Sequence, residues 1–260
     1  MSNVAMVVTD NPLYKNKFIN DLVKEDLDNQ IKIIVELDFK HPKASSSLHY
    51  KRYFQLLGPI GIIYLGFLTV INTIKLFFSS ILPFSNGYSL KQICKKNKLI
   101  YKKINDVNGQ KFLNVMENYK IDYILNSGNQ IFRKKIIDKM GNKILNRHSA
   151  LLPSYGGIYP IFWQMLKNEK YGGVTLHWID ESIDEGIIAY QKKMIIDLNN
   201  SLFDHYEVAF EISLELCKKF LFDVQNGNVR SMDIKYKKSY YSWPKKEDIK
   251  QFKKLRLKIV

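Results

Sequence analysis

The sequence predicts an α/β fold: an open, mostly parallel sheet with helices on both faces and a short C-terminal extension. Three observations predict it. The first forty residues read strand, helix, strand. Residues 99–148 repeat that rhythm with short links. Polar residues gather at strand ends, which is where open α/β sheets bind ligands. The length of 260 residues allows one large domain, or a domain with an appendage, around a sizeable core. A hydrophobic content of 46% with 25% charged residues excludes a disordered chain.

The elements follow in order. VAMVV is a short apolar run and reads as the first strand. Asp10 and Asn11 before Pro12 fit a helix start, and Phe18, Leu22 and Val23 give that helix an apolar stripe. IKIIVEL is the second strand. This β-α-β order suggests a Rossmann-like parallel sheet. No G-x-G-x-x-G follows the first strand, so the dinucleotide fingerprint is missing.

Residues 53–84, YFQLLGPIGIIYLGFLTVINTIKLFFSSILPF, are a compositional anomaly, with no charge from Tyr53 until Lys75. Runs of ~20 apolar residues prompt a transmembrane reading. Here Gln55, Pro59, Thr69, Asn72 and Thr73 dilute the run, and Lys51, Arg52, Lys91, Lys95 and Lys96 flank it. Three readings stay open: buried core helices, a helix in contact with a membrane surface, and a span. An apolar helical insertion over about 53–92 is expected within a catalytic domain of residues 1–200.

Beyond it, LIYKKIND reads as a strand and loop, QKFLNVMENYK as a helix and IDYILNSG as a strand ending in a turn. QIFRKKIIDKMG is a helix with Gly141 as its C-cap, and KILNRH is the next strand. VTLHWI and GIIAYQKKMII are strands enclosing the acidic loop DESIDEG. Residues 201–260 form the extension: a long helix over Leu202–Val224, with Gly227 just past its end, then a basic, aromatic tail with a helix from near Lys246.

The net charge of +15 fits nucleic acid, an anionic membrane face or phosphorylated substrates, but the lysines are spread from Lys15 to Lys258 and read first as a solvated surface. Cys94 and Cys217 build neither a disulfide framework nor a zinc site, so a reducing compartment is expected. The N-terminal residues carry no signal-peptide pattern.

NRHSALLP ends a strand, and in an extended chain Asn146 and His148 project to the same side. Together with His177 and Asp184 they make a set suited to a tetrahedral, oxyanion-forming reaction. The amide donates to the developing oxyanion. The imidazole shuttles or stabilises charge near neutral pH, and the carboxylate orients or charges it. No Ser or Cys sits in an elbow motif, which favours direct acyl transfer. Singly, each residue also has a structural reading: a turn-forming Asn, a hydrogen-bonded His, a solvated loop acid.

N-x-H-x-x-LLP, then YGGIYPIFW, then GGVTLHWIDESIDEGIIAYQ, together resemble the formyltransferases that use 10-formyltetrahydrofolate, over roughly Leu99 to Ile196. That family includes glycinamide ribonucleotide, methionyl-tRNA and sugar N-formyltransferases. The resemblance implies Asn146, His148 and Asp184 as the catalytic trio, with His177 in support. It implies a folate site at the turn near Gln130, Ile131 and Phe132 and at the DESIDEG loop, including Asp180 and Ile183. The donor would be 10-formyltetrahydrofolate, and no metal is required. The acceptor would be a primary amine, with an amino sugar on a nucleotide or lipid carrier fitting best. Tyr155, Gly156 and Gly157, with Tyr241 and Trp243 of the tail, are its candidate binding residues; packing is the other reading of the aromatics. No nucleic acid is expected beyond a nucleotide carrier, an oligomer is left open, and peripheral membrane contact through 53–84 is an expectation. So is a cytoplasmic location, in association with the inner face of a membrane. The alternatives are a formyltetrahydrofolate hydrolase, a methionyl-tRNA formyltransferase-like enzyme and a non-catalytic folate-binding protein.

Overall fold

The structure is a computed structural model, and it describes residues 2–9, 15–38, 46–79, 89–141, 143–229, 231, 232, 234 and 236–260. Its centre is a seven-stranded sheet. The strands are β1 (Val4–Thr9), β2 (Ile31–Leu37), β3 (Ile100–Ile104), β4 (Tyr123–Ser127), β5 (Ile144–His148), β7 (Tyr171–Trp178) and β8 (Ile188–Ile195). Their order is β3-β2-β1-β4-β5-β7-β8. The five strands β3 to β5 are parallel, β7 runs antiparallel to β5, and β8 runs antiparallel to β7 and so in the direction of the other five. The expected open, mostly parallel sheet is what forms. β1 is buried along its whole length, as a strand covered on both faces must be.

Alternation along β1 divides the core. Val4, Met6 and Val8 face one layer, with α1 (Lys15–Glu25), α3 (Leu90–Lys96), α6 (Pro160–Leu166) and α7 (Leu202–Gln225). Ala5 and Val7 face the other, with α4 (Gln110–Asn118) and α5 (Lys134–Lys139). Within α1, Phe18 and Leu22 are buried as their spacing predicts. The helix start at Asp10–Pro12 lies outside the described residues. α3 was not foreseen: Ser89 and Gln92 close a capping box that starts it. α5 begins later than the run from Gln130 suggests, and Gly141 follows it at φ 58°. The tail adds β9 (Tyr240–Tyr241), paired with β6 (Gly156–Gly157), and α8 (Lys246–Lys254).

α2 (Ser46–Ser79) is the element that departs from expectation. It kinks at Gly58, whose φ of 67° lies in the left-handed region, just before Pro59. Of the three readings open for 53–84, burial in the core does not hold for Lys51–Ile71, of which only 11% is buried. Among the residues of α2 whose side chains are described, Leu56 is the one large apolar residue that is fully packed, while Ile60, Ile63 and Phe67 are 80%, 72% and 61% exposed. A run of apolar residues around the whole helix leaves no polar face to turn outward, so whichever side the body does not cover is apolar. Residues 80–84 of that stretch lie outside the described residues.

Candidate active site

The strand order reverses beside β1: β2 and β3 lie on one side of it and β4, β5, β7 and β8 on the other. Ligands of such sheets bind at the carboxyl ends of the strands near that switch point. A cleft of about 460 Å³ opens there. It is lined by Asn126, Gly128 and Gln130–Phe132 after β4, by Asn146–His148 at the end of β5, and by His177 and the loop to Asp184.

Antiparallel pairing sets Asn146 directly opposite His177, and parallel pairing sets it opposite Asn126. A register shift between Leu176 and His177 re-aims the end of β7. A hydrogen-bond chain results. The Gly128 amide donates to Asn126 Oδ1 (3.0 Å), Asn126 Nδ2 donates to Asn146 Oδ1 (2.8 Å), and Asn146 Nδ2 lies 3.1 Å from His177 Nε2. His177 Nδ1 is 3.3 Å from the Trp178 carbonyl, which can only accept. That assigns the proton to Nδ1 and leaves Nε2 to accept from Asn146. With its oxygen and one amide hydrogen so fixed, Asn146 has a second amide hydrogen for a ligand.

His148 is buried, with Nε2 2.9 Å from the Tyr155 carbonyl. Nε2 therefore carries the proton, and Nδ1 is the basic nitrogen. Asp184 Oδ1 lies 3.8 Å from that Nδ1 and 3.6 Å from His177 Nε2. The Asp184 backbone has φ 58°, a left-handed conformation that Asp tolerates better than most residues. Its Oδ2 accepts from the Gly157 amide at 2.8 Å. Only glycine fits at 157: φ is 98°, and a Cβ there would meet the Tyr241 carbonyl oxygen at 2.0 Å.

Burial pushes the His148 imidazole below its ordinary value, against an opposing pull from Asp184 and the Tyr155 carbonyl. Burial would raise Asp184, but the charge of His148, the nearby His177 ring and the hydrogen bond from the Gly157 amide outweigh it and hold the carboxyl at about 2. The resting site thus pairs a neutral imidazole with a carboxylate. A proton arriving on Nδ1 during a reaction would be stabilised by Asp184, and the oxyanion by Asn146.

All of Asn146, His148, His177 and Asp184 come together. Gln130, Ile131, Phe132, Asp180 and Ile183 also line the cleft. The Gln130 side chain is spent on structure, accepting from the Val107 amide and donating to the Asp38 and Asn105 carbonyls. Phe132 packs edge-on against Phe112 in the core. Of the acceptor candidates, Gly157 and Trp243 line the cleft; Tyr155, Gly156 and Tyr241 do not. The Tyr241 ring is stacked between Tyr155 and Trp163, which is the packing reading of that residue. Asn126, Arg147, Lys15 and Tyr206 line the cleft and were not foreseen. The one available signal for Asn126 was its place at a strand end beside Ser127-Gly128. Among the described residues no group of three or more His, Cys, Asp or Glu could hold a metal ion.

A mostly parallel α/β sheet with an Asn–His–Asp group beyond its strand ends is what the resemblance to the formyltransferases led us to expect. The N-formyltransferase from Helicobacter canadensis, solved with folinic acid and dTDP-3-aminofucose, superposes with a TM-score of 0.60 at 19% identity over 100% of this chain and 84% of its own. Residues 88–210 match the family model described as formyl transferase, the segment in which the family motifs were read. The methionyl-tRNA formyltransferase of Finegoldia magna is 26% identical over 121 residues, 46% of this chain and 39% of its own length. The bifunctional polymyxin resistance protein ArnA of Wigglesworthia glossinidia brevipalpis is 29% identical over 195 residues, 68% of this chain and 28% of its own. The chain spans well under half the length of these relatives.

Proposed function

We propose that the protein transfers a formyl group from 10-formyltetrahydrofolate to a primary amine, with an amino sugar on a nucleotide or lipid carrier as acceptor. The observation that carries this is the convergence of Asn146, His148 and Asp184 on one cleft, with 3.8 Å between the carboxylate and the basic imidazole nitrogen. The cleft fits a folate donor: Ile131, Phe132, Ile179 and Ile183 offer apolar walls for a flat ring, and Asn126, Asn129 and Asp180 offer polar edges.

The donor supplies the formyl carbon. Attack by the amine nitrogen forms the new C–N bond and turns the carbonyl oxygen into an oxyanion, to which Asn146 Nδ2 donates. His148 Nδ1 takes the proton lost by the amine, and Asp184 holds the resulting imidazolium. Breaking the bond to the folate nitrogen returns that proton to the leaving group, giving a formamide and tetrahydrofolate.

The amino sugar reading draws support from the Helicobacter canadensis enzyme, whose complex holds dTDP-3-aminofucose. The methionyl-tRNA formyltransferases match less of the chain than ArnA does. The location we infer is cytoplasmic, on the inner face of a membrane, in keeping with two buried free thiols. Incubation with 10-formyltetrahydrofolate and a panel of amines tests the function. Amine-dependent formyl loss supports it; amine-independent loss makes the protein a hydrolase, and no loss makes it a binder.

A further inference from the structure

A second cavity, of about 310 Å³, lies behind the cleft between α2 and α7. That volume falls within the ~300–1,000 Å³ of ordinary ligand sites. Its walls are chiefly apolar, with Leu56, Leu57 and Leu65 from α2 facing Leu202, Phe203 and Phe210 from α7. Lys15, Tyr53, Arg147, Tyr159 and Tyr206 line both spaces, so the two are contiguous.

Arg147 stands at the junction. Its Nε donates to Ser213 Oγ at 2.6 Å, and its guanidinium lies 4.0 Å from the centroid of the Phe210 ring. Its Nη2 is buried and has no hydrogen-bond partner among the described residues, and no carboxylate there pairs with it. A buried charge without a counter-ion is costly, and a guanidinium fork is the natural receptor for phosphate oxygens. A polar reaction site, a cation and an apolar cavity therefore follow one another.

α2 has two functions in this arrangement. Tyr53, Leu57 and Leu65 wall the cavity, while Ile60, Ile63, Phe67, Val70 and Ile74 are exposed on the outside. Lys51–Ile71 is long and apolar enough to cross a membrane. Basic charge surrounds its foot. The Lys253 ammonium of α8 lies 3.7 Å from where a Cβ would sit on Gly58, and Lys246, Lys250 and Lys254 of that helix are exposed. Apolar surface rimmed by lysines complements an anionic bilayer.

We propose that the α2–α7 cavity is the carrier subsite of the acceptor. It takes the apolar chain of a lipid-phosphate-linked amino sugar, with Arg147 on the phosphate and the outer face of α2 seated on the anionic bilayer that supplies it. This rests on the formyl-transfer reading and decides its carrier: a nucleotide base would find few polar partners against Leu, Phe and Ile.

The test has a binding arm and a transfer arm, both with the full chain. In the first, farnesyl phosphate, farnesol and inorganic phosphate are titrated against intrinsic fluorescence. Farnesyl phosphate should bind at least tenfold tighter than either of the others, with Arg147→Gln abolishing its advantage over farnesol. Leu57→Asp should weaken both isoprenoids. Equal binding of farnesol and farnesyl phosphate, or none, overturns the subsite, and because this comparison is made on the unaltered protein it stands even if Arg147→Gln fails to fold. Flotation with phosphatidylglycerol vesicles should carry the protein up, and Ile63→Lys with Phe67→Lys should leave it at the bottom; failure of the unaltered protein to float overturns the bilayer seat. In the second arm, an amino sugar on polyprenyl phosphate in those vesicles should be formylated at least tenfold faster than the same sugar on a nucleoside diphosphate. Faster transfer to the nucleotide sugar overturns the carrier inference and leaves formyl transfer standing. Absence of transfer to both removes the formyl-transfer reading, and the binding arm still judges the subsite.

Discussion

His148 sits between opposing influences: burial lowers its proton affinity, and the Asp184 carboxylate raises it. If neutral His148 is the base, activity rises with pH through its pKa, so the acid limb of kcat/KM should lie below the ordinary ~6.5 of histidine. Asp184→Asn removes the raising influence and should move that limb further down. It should also lower the plateau by about 10²-fold or more, the scale of acid–base assistance. A limb that stays in place shows that Asp184 does not act through the imidazole. Asn146→Ala should lower kcat by about 10²–10³-fold, as loss of an oxyanion donor does, with KM for the donor little changed.

The same groups link stability to pH. An unfolded Asp titrates near ~3.9, and the folded Asp184 carboxyl is held at about 2. Its contribution, about 2 kcal/mol, is complete above pH ~4 and is lost as pH falls towards the folded value. His148 acts at higher pH. Its folded affinity is depressed, so protonation below pH ~6.5 favours the unfolded chain. In an acid melt followed by circular dichroism, His148→Asn should remove the earlier decline and, by taking away the largest influence that lowers Asp184, shrink the later one.

At the scale of elements, the β6–β9 ladder ties the tail to the reaction loop. Gly156 and Gly157 pair with Tyr240 and Tyr241, and the Gly157 amide holds Asp184. Gly157→Ala would force a Cβ into the Tyr241 carbonyl. It should cost about 1–3 kcal/mol, the range for strained backbone, and lower kcat/KM at least tenfold through Asp184; a thermal melt and the assay check the two together. Phe220, buried against Tyr123, Trp178 and Tyr190, should cost about 3–5 kcal/mol as Phe220→Ala in urea unfolding.

Elements with a clear period were legible in the sequence. β4, α4, β5 and α7 start and stop near where their apolar spacing and caps put them. The trio was legible because alternation put Asn146 and His148 on one side, while only the family motif tied Asp184 to them across the fold. Asn126 was hidden because its meaning comes from the ladder partner opposite it, which no local pattern encodes. Arg147 was passed over as the residue between two others, although alternation turns it towards α7. α2 stayed open among three readings because hydropathy says what a segment avoids, not whether the body has room to cover it.

For the molecule as a whole, those facts imply a steep gradient of local stability. The sheet is sealed between two apolar layers, one packed by α1, α3, α6 and α7 and the other by α4 and α5. Opening β1 or β4 exposes both layers at once, so their amides should exchange only through global unfolding. The part of α2 beyond the kink has few such ties: Ile60, Ile63, Phe67 and Val70 contact little else of the body and remain exposed. Its helical hydrogen bonds are held mainly by the helix itself, and an isolated helix in water is marginal. Hydrogen exchange followed by mass spectrometry should therefore show peptides from 60–74 exchanging orders of magnitude faster than those from 4–9 and 123–127. On anionic vesicles the 60–74 peptides should slow sharply, because backbone groups in an apolar phase must keep their internal bonds, while the sheet peptides stay as they were. Protection of 60–74 in plain buffer equal to that of β1 would mean that the chain covers this helix itself, and would leave its outer face without need of a membrane.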